Sequence, residues 1–349
     1  MEEEKYIKRC FELALLGSGR VSPNPMVGCV IVYNGKIIGE GFHKQYGKAH
    51  AEVNAINSVK DKSLLEKSTI YVSLEPCCHY GKTPPCANLI LEKKIPKVVI
   101  SNFDPNPKVF GGGIKILRDG GVEVITGILE KEGKEINKRF FTSHILKRPY
   151  ITLKWAQTLD SYMDIERDKE AKSYWITNDN LRVWVHKQRA FEDAMLVGKN
   201  TVINDNPNLN IRYYSGKNPL RLVIDRNLEI TKDYKVMDKK QKTIIFNSKK
   251  NHIEDEKLIY YKLDFNDNII PQLLSYLHSI KVKSVIVEGG KNTLESFINS
   301  NLWDEANVLV GNKFFHKGLR ACNIEDVYLS SREDYADNYI LNYRNRIYL

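Results

Sequence analysis

His50-Ala51-Glu52, and further along Glu75-Pro76-Cys77-Cys78-His79-Tyr80-Gly81-Lys82-Thr83-Pro84-Pro85-Cys86, are the stretches on which the reading of this 349-residue chain turns. Imidazole and thiolate are donors for a borderline metal such as zinc, and a catalytic zinc takes three protein ligands and leaves a fourth position for water. Successive side chains of an extended segment point opposite ways, so Cys77 and Cys78 do not both face one ion. Cys77 follows Pro76 as Cys86 follows Pro85, and Cys86 heads a predicted helix, where free N–H groups and the dipole favour a thiolate. The expected ligands are therefore His50, Cys77 and Cys86. Glu52 stands two residues from His50, about 200° around a regular helix. Both face one site if His50 enters from the first turn. A carboxylate so placed takes a proton from an activated water and hands it to a leaving amine. The competing reading is a closed structural site with Cys78 or His79 as fourth ligand, in which Glu52 would have no purpose.

Residues 3–16 carry Ile7, Cys10, Phe11 and Ala14 at helical spacing. VGCVIVY, Asn34-Gly35 and KIIGEGF read as a hairpin, because Asn-Gly supplies the positive φ angles of a two-residue turn. Helices from about Ala51, from about Ala87, at GIKILRD and up to about Phe141 then alternate with strands TIYVS, KVVIS and VEVIT. That order builds a layered α/β unit. The alternation breaks at HILKRP, which puts a domain boundary near residue 147. A second α/β half follows: strand YITLKWA, a helix from about Asp179 to Arg189, strands AMLVG, LRLVID and TIIF, a helix near 270–279, strand SVIVEGG and a helix from about Asn292. The polar stretch from Asp238 to Lys257 reads as surface with a strand inside it.

At 349 residues, two domains of roughly 100–200 residues each are expected. No run approaches the ~18 apolar residues of a membrane span, and the acidic start MEEEKYIKRC lacks the order of a secretory signal. A cytoplasmic protein is the expectation. Six cysteines, three crowded between Cys77 and Cys86, suit a metal cluster better than a disulfide framework. Cys10, Cys29 and Cys322 read as small buried hydrophobes. The net charge of +10 is scattered along the chain, which argues for a phosphorylated small molecule and against nucleic acid.

A helix-borne H-x-E followed by P-C and a later P-C is a zinc-deaminase pattern. With SPNPMVGCV at Ser22–Val30, GKAHAEVNAI at Gly47–Ile56, LEPCCHYGKTPPC at Leu74–Cys86 and DPNP at Asp104–Pro107, the first half resembles the bifunctional riboflavin-biosynthesis deaminase/reductase family. In the second half the resemblance rests on LKWAQTLD at Leu153–Asp160, SYWIT from Ser173, the RAFEDAMLVGKNTVINDNPNLNIR run and VEGGKNTLESF at Val287–Phe297, and it thins after about residue 325. It implies a cytidine-deaminase-like three-layer αβα domain (1–147) followed by a dihydrofolate-reductase-like α/β domain (148–349). It also implies Zn2+ and NADPH as cofactors, a phosphorylated aminopyrimidine substrate, and a homo-oligomer. The residues carried over to the deaminase pocket are Asn24, His43, His79, Lys82 and Asp104. From its residues alone, His79 is as readily a loop residue as a ligand contact.

The second half has no G-x-G-x-x-G, so a Rossmann reading has little support. Strand SVIVE runs through Gly289-Gly290 into a helix, which suits a pyrophosphate at a helix N-terminus, although many such turns only end a strand. The resemblance assigns the cofactor to Ala156, Trp175, Thr201, Asp205 and Gly290-Lys291-Asn292-Thr293-Leu294-Glu295-Ser296. It assigns the substrate to Ser173, Arg189, Leu209, Arg212 and Glu288. Arg189 and Arg212 make sense as a phosphate clamp, since a guanidinium offers paired donors. Ser161-Tyr162 and Arg226 depart from the family pattern.

Overall fold

The computed structural model describes residues 2–80, 84–166 and 174–348. The chain divides into two compact units, Met1–Lys147 and Arg148–Leu349. In the first, helix α1 (Glu2–Leu15) precedes the hairpin β1 (Gly28–Tyr33) and β2 (Lys36–Phe42), then α2 (Ala51–Ser58), β3 (Thr69–Leu74), α3 (Cys86–Glu92), β4 (Lys97–Asn102), α4 (Gly112–Asp119), β5 (Glu123–Thr126), α5 (Glu130–Ile136) and α6 (Lys138–Ile145). The strands form one sheet in the order β2-β1-β3-β4-β5. β1 is antiparallel to β2 and β3, while β3, β4 and β5 are parallel. Asn34 and Gly35 take φ of 48° and 73°, as a two-residue hairpin turn demands.

Side-chain alternation sorts this unit into three layers. Cys29, Ile31, Ile70, Val72, Val98 and Ile100 pack with Ala55 and Ile56 of α2, Ile90 of α3 and Leu117 of α4. The opposite set, Val30, Val32, Tyr71 and Val99, packs with Ile7, Cys10 and Phe11 of α1 and with Ile136 of α5. Strands apolar on both faces are what a sheet covered by helices on both sides requires. The helix expected to end near Phe141 is two helices, parted at Asn137, whose side chain accepts the Met26 N–H and donates to its carbonyl.

The second unit contains β6 (Tyr150–Thr158), β7 (Tyr162–Asp164), α7 (Asp179–Phe191), β8 (Ala194–Gly198), α8 (Lys199–Asp205), β9 (Leu220–Ile224), β10 (Thr243–Asn247), β11 (His252–Asp255), β12 (Leu258–Lys262), α9 (Ile269–Ser279), β13 (Ser284–Gly289), α10 (Lys291–Asn299), β14 (Glu305–Gly311), β15 (Leu319–Arg320), β16 (Val327–Tyr335) and β17 (Asn338–Asn345). Ten strands form one sheet in the order β11-β12-β10-β9-β8-β13-β6-β14-β17-β16. It is parallel from β12 to β14, with antiparallel strands at both edges. One face packs Leu196, Phe246, Val287 and Val308 against Leu273 and Leu277 of α9 and Phe297 of α10; the other buries Val197, Val223, Ile245 and Ile286 beside Val202 of α8. Strands β14, β16 and β17 extend the sheet beyond the elements expected from the sequence. Arg148, at the head of the unit, is buried and bidentate to Asp304 at 2.6 and 2.8 Å. Cys10, Cys29 and Cys322 are buried free thiols. Among the described residues no helix is long and apolar enough to cross a membrane.

Candidate functional site

His50 is the N-cap of α2, with extended backbone (φ −74°, ψ 169°), so its side chain leaves the chain just outside the helix while Glu52 lies in the first turn. Cys86 opens α3 after Pro85. Cys77 lies on the segment leaving β3, and its sulfur accepts the Cys86 N–H at 3.3 Å. The donor atoms of His50, Cys77 and Cys86 all lie within 4.8 Å of one another, and this is the group of such side chains, among the described residues, able to hold a metal. His50 Nδ1 is 3.5 Å from Cys77 Sγ and 3.4 Å from Cys86 Sγ. Tetrahedral zinc ligands at about 2.0 Å (N) and 2.3 Å (S) are themselves about 3.5 Å apart, so the donors fit that ion.

The electrostatics agree. Hydrogen bonds from Cys86 and His50 pull the Cys77 thiol well below its ordinary range against the cost of burial. Sharing with Cys77 and burial push Cys86 up. Two sulfurs this close compete for one negative charge, and a dication is what lets both ionise. Burial, with the Cys77 charge nearby, raises the carboxyl of Glu52 to about 7. Cys78 points elsewhere: its thiol donates to the Lys108 carbonyl at 3.4 Å.

Asn24 and His43 stand beside this centre. The His43 ring is edge-on to His50 with centroids 5.4 Å apart. Its Nδ1–H donates to the Ala49 carbonyl at 3.1 Å, so Nε2 accepts from the Asn24 amide at 3.2 Å. Burial lowers the His43 pKa and keeps the ring neutral. Asp104 is buried on the loop after β4, and His79 is exposed. Lys82 and Ser173 lie outside the described residues.

In the second unit the carboxyl ends of β8 and β13 lie side by side and are lined by glycine. A Cβ on Gly198 would come within 2.5 Å of Thr293 Oγ1, and one on Gly289 or Gly290 would meet Thr201 Oγ1 at 3.1 or 3.3 Å. Thr201 Oγ1 accepts the Gly290 N–H at 2.9 Å. The first turn of α10, at Lys291 and Asn292, offers N–H groups with no partner inside the helix, which is the setting a dinucleotide's phosphates need. Leu294 is buried in the core, so its side chain faces no ligand; Thr293 and Glu295 are half-buried, and Asn292 and Ser296 exposed. Ala156 is half-buried, Asp205 is exposed at the end of α8, and the exposed Trp175 ring lies 4.3 Å from the Arg182 guanidinium.

Near that cradle sits a charged cluster. Arg189 donates from Nε and Nη2 to Glu288 at 2.9 and 2.7 Å, and from Nη1 to the Asn210 carbonyl at 3.3 Å. Its guanidinium is thus largely committed within the protein. Lys154, which nothing in the sequence marks because its charge sits in an otherwise apolar strand, lies 3.5 Å from the same carboxylate. Burial alone would raise Glu288, but Arg189 and Lys154 outweigh it and hold it at about 2. Arg212 is exposed, Leu209 is buried, and the Arg212 N–H donates to Nδ1 of the buried His186 at 3.0 Å. Of the two departures, Ser161 takes φ 66°, a left-handed backbone costing a non-glycine residue about 1 kcal/mol; Arg226 is exposed 5.6 Å from the Phe265 ring.

Burial and the Arg189 and Arg212 charges lower the His186 pKa from 6.5 to about 4. Unfolded, the ring takes up its proton near 6.5; folded, only near 4. Its contribution is therefore complete above about pH 6.5 and lost as the pH falls toward 4, by on the order of 3 kcal/mol at most. Denaturant midpoints followed between pH 7 and 4.5 should fall less steeply for His186→Asn than for the wild type. Parallel profiles would contradict this assignment.

Comparison with known proteins follows the same division. Residues 1–102 match the cytidine and deoxycytidylate deaminase zinc-binding region, and residues 149–327 match the RibD C-terminal domain. The riboflavin biosynthesis protein RibD of Aquifex aeolicus is 38% identical, over 95% of this chain and 92% of that one. The crystal structure of a diaminohydroxyphosphoribosylaminopyrimidine deaminase/5-amino-6-(5-phosphoribosylamino)uracil reductase from Thermotoga maritima superposes with a TM-score of 0.89 at 36% identity, covering 99% of each chain. Acinetobacter baumannii RibD does so with a TM-score of 0.89 at 30% identity, over 98% of each. With a zinc-binding deaminase region and a reductase region in one polypeptide, matched over nearly its whole length, this chain belongs to the RibD family of bifunctional deaminase/reductases of riboflavin biosynthesis.

Proposed function

We propose that the first unit removes the ring amine of a diamino-hydroxy-pyrimidine bearing a phosphoribosylamino group, and that the second reduces the ribosyl group of the resulting uracil to a ribityl chain. The observation that carries this reading is the convergence of His50, Cys77 and Cys86 beside the buried carboxylate of Glu52. Zinc held by those three ligands supplies the Lewis acidity that brings the pKa of water toward 7. Glu52 handles the proton. Buried beside the donors, it takes a proton from water on its carboxylate oxygen and gives it to the departing nitrogen within one turnover. Neutral His43, fixed by Ala49 and Asn24, forms a wall whose donors and acceptors do not change with the reaction, and Asp104, buried on the loop after β4, serves as a further substrate contact.

NADPH supplies the hydride of the second reaction. The N–H groups of Lys291 and Asn292 would hold its phosphates at the start of α10, with Thr201 fixing the Gly290 backbone. Glu288, kept ionised by Arg189 and Lys154, offers an acceptor for the substrate's hydroxyl groups. Since Arg189 is engaged there, the exposed Arg212 is the better partner for the substrate phosphate.

The purified chain should hold about one zinc and release ammonia from the diaminopyrimidine substrate without NADPH. Cys86→Ser should lose the zinc, whereas Cys78→Ser, whose hydroxyl can still donate to Lys108, should keep it. Metal analysis of the two variants checks the ligand set, and the opposite pattern would overturn it.

A further inference from the structure

Glu75 has no part in the chemistry above, yet its carboxylate is among the most heavily bonded groups of the first unit. It lies one residue past the end of β3 and is 4% exposed. Its Oε2 accepts the N–H groups of Asp104 at 3.3 Å and Gly111 at 3.0 Å. Its Oε1 accepts those of Gly113 at 3.0 Å and Ile114 at 3.3 Å. One carboxylate thus fastens both ends of the loop that leaves β4 and enters α4. The loop's middle is held by Cys78, whose thiol donates to the Lys108 carbonyl. Gly112 packs on the same sulfur, which an added Cβ would approach to 2.8 Å. Within the loop Asp104 Oδ1 accepts the Asn106 N–H at 2.8 Å.

The two side chains that hold this loop flank Cys77, one two residues before it and one immediately after. The loop carries Asp104. We infer that Glu75 is a positioning residue of the deaminase, with Cys78 as its second anchor, setting Asp104 at a fixed distance from the Cys77 end of the metal centre. This rests on the reading of Asp104 as a substrate residue. A carboxylate is needed because each of its oxygens accepts two N–H groups. An amide would turn an NH2 group toward two donors, leaving buried N–H groups unsatisfied. Helix capping alone would also employ Glu75, but then its loss would lower stability and leave the kinetics of the zinc-loaded protein unchanged.

The test uses the full-length protein, with zinc content, ammonia-release kinetics and NADPH oxidation on deaminated substrate measured for each variant. Glu75→Gln is expected to keep its zinc and its reductase rate while kcat/KM for deamination falls about 10- to 100-fold, mostly through KM, as sub-ångström to ångström misplacement of a contact residue does. Unchanged KM in zinc-loaded Glu75→Gln overturns the inference. If that variant does not fold, Gly112→Ala serves: its Cβ presses the loop off Cys78 and should raise KM for deamination while zinc content and the reductase rate stay at wild-type levels. An unchanged KM in zinc-loaded Gly112→Ala also overturns the inference. Asp104→Ala separates the two layers of the proposal. A raised KM there with an unchanged KM in Glu75→Gln sinks only the role of Glu75; an unchanged KM in Asp104→Ala removes Asp104 from the substrate pocket and the inference with it.

Discussion

Glu52→Gln is expected to lose ammonia release almost completely, keep its zinc, and oxidise NADPH normally when given deaminated substrate. Glu52 is 3% exposed beside the three donors but is not one of them, so the amide fills the same space and leaves the ligand set intact. What disappears is a group that accepts and returns a proton. General acid–base catalysis typically contributes about 10² to 10⁴ in rate, and one group here serves both the attacking water and the leaving amine, so the upper end applies. The reductase residues belong to the other compact unit. Metal analysis and the two activity assays check this on one preparation. Near-normal deamination would remove Glu52 from the mechanism, and zinc loss would make it a structural prop.

Gly290→Asp should raise the KM for NADPH by about 10²-fold and leave deamination unchanged. A carboxylate roughly 5 Å from a phosphate charge, at an effective dielectric near 20, costs roughly 3 kcal/mol, which corresponds to that factor. Gly290→Ala separates charge from crowding. Its Cβ meets only Thr201 Oγ1 at 3.3 Å, a contact relieved by a few tenths of an ångström, so its KM should rise only slightly. Equal effects from both substitutions would mean that space rather than charge governs the cradle, and no effect from either would move the cofactor elsewhere.

Much of the first unit was legible because its signals are local. Asn34-Gly35 sets the hairpin through backbone angles, and Cys29/Ile31 against Val30/Val32 shows a strand covered on both sides. His50, Cys77 and Cys86 could be grouped because residue type restricts what a metal accepts, even where the residues are far apart in the chain. Glu75 lies in the same stretch as Cys77 and Cys86, but no sequence pattern marks its role. Its partners are backbone N–H groups some 30 to 40 residues on, and backbone donors leave no trace in side-chain patterning.

The second unit hid more. Strand β16 is largely exposed and mixes Ser, Arg, Glu and Asp, so it carries no apolar period. Arg189 looked free to clamp a phosphate because its partner Glu288 is 99 residues away; burial of that pair is a property of the sheet's strand order, which places β13 between β8 and β6. Lys154 joins the pair for the same reason.

One polypeptide is expected to perform two reactions in a set order, because the reductase acts on what the deaminase makes. This order is tested most directly by giving the full-length protein a limiting amount of the diaminopyrimidine substrate with excess NADPH, and following ammonia and the nicotinamide absorbance together. Equal final amounts of ammonia and oxidised NADPH, with ammonia appearing first, are predicted. NADPH oxidation that proceeds without ammonia, or ahead of it, would contradict the account.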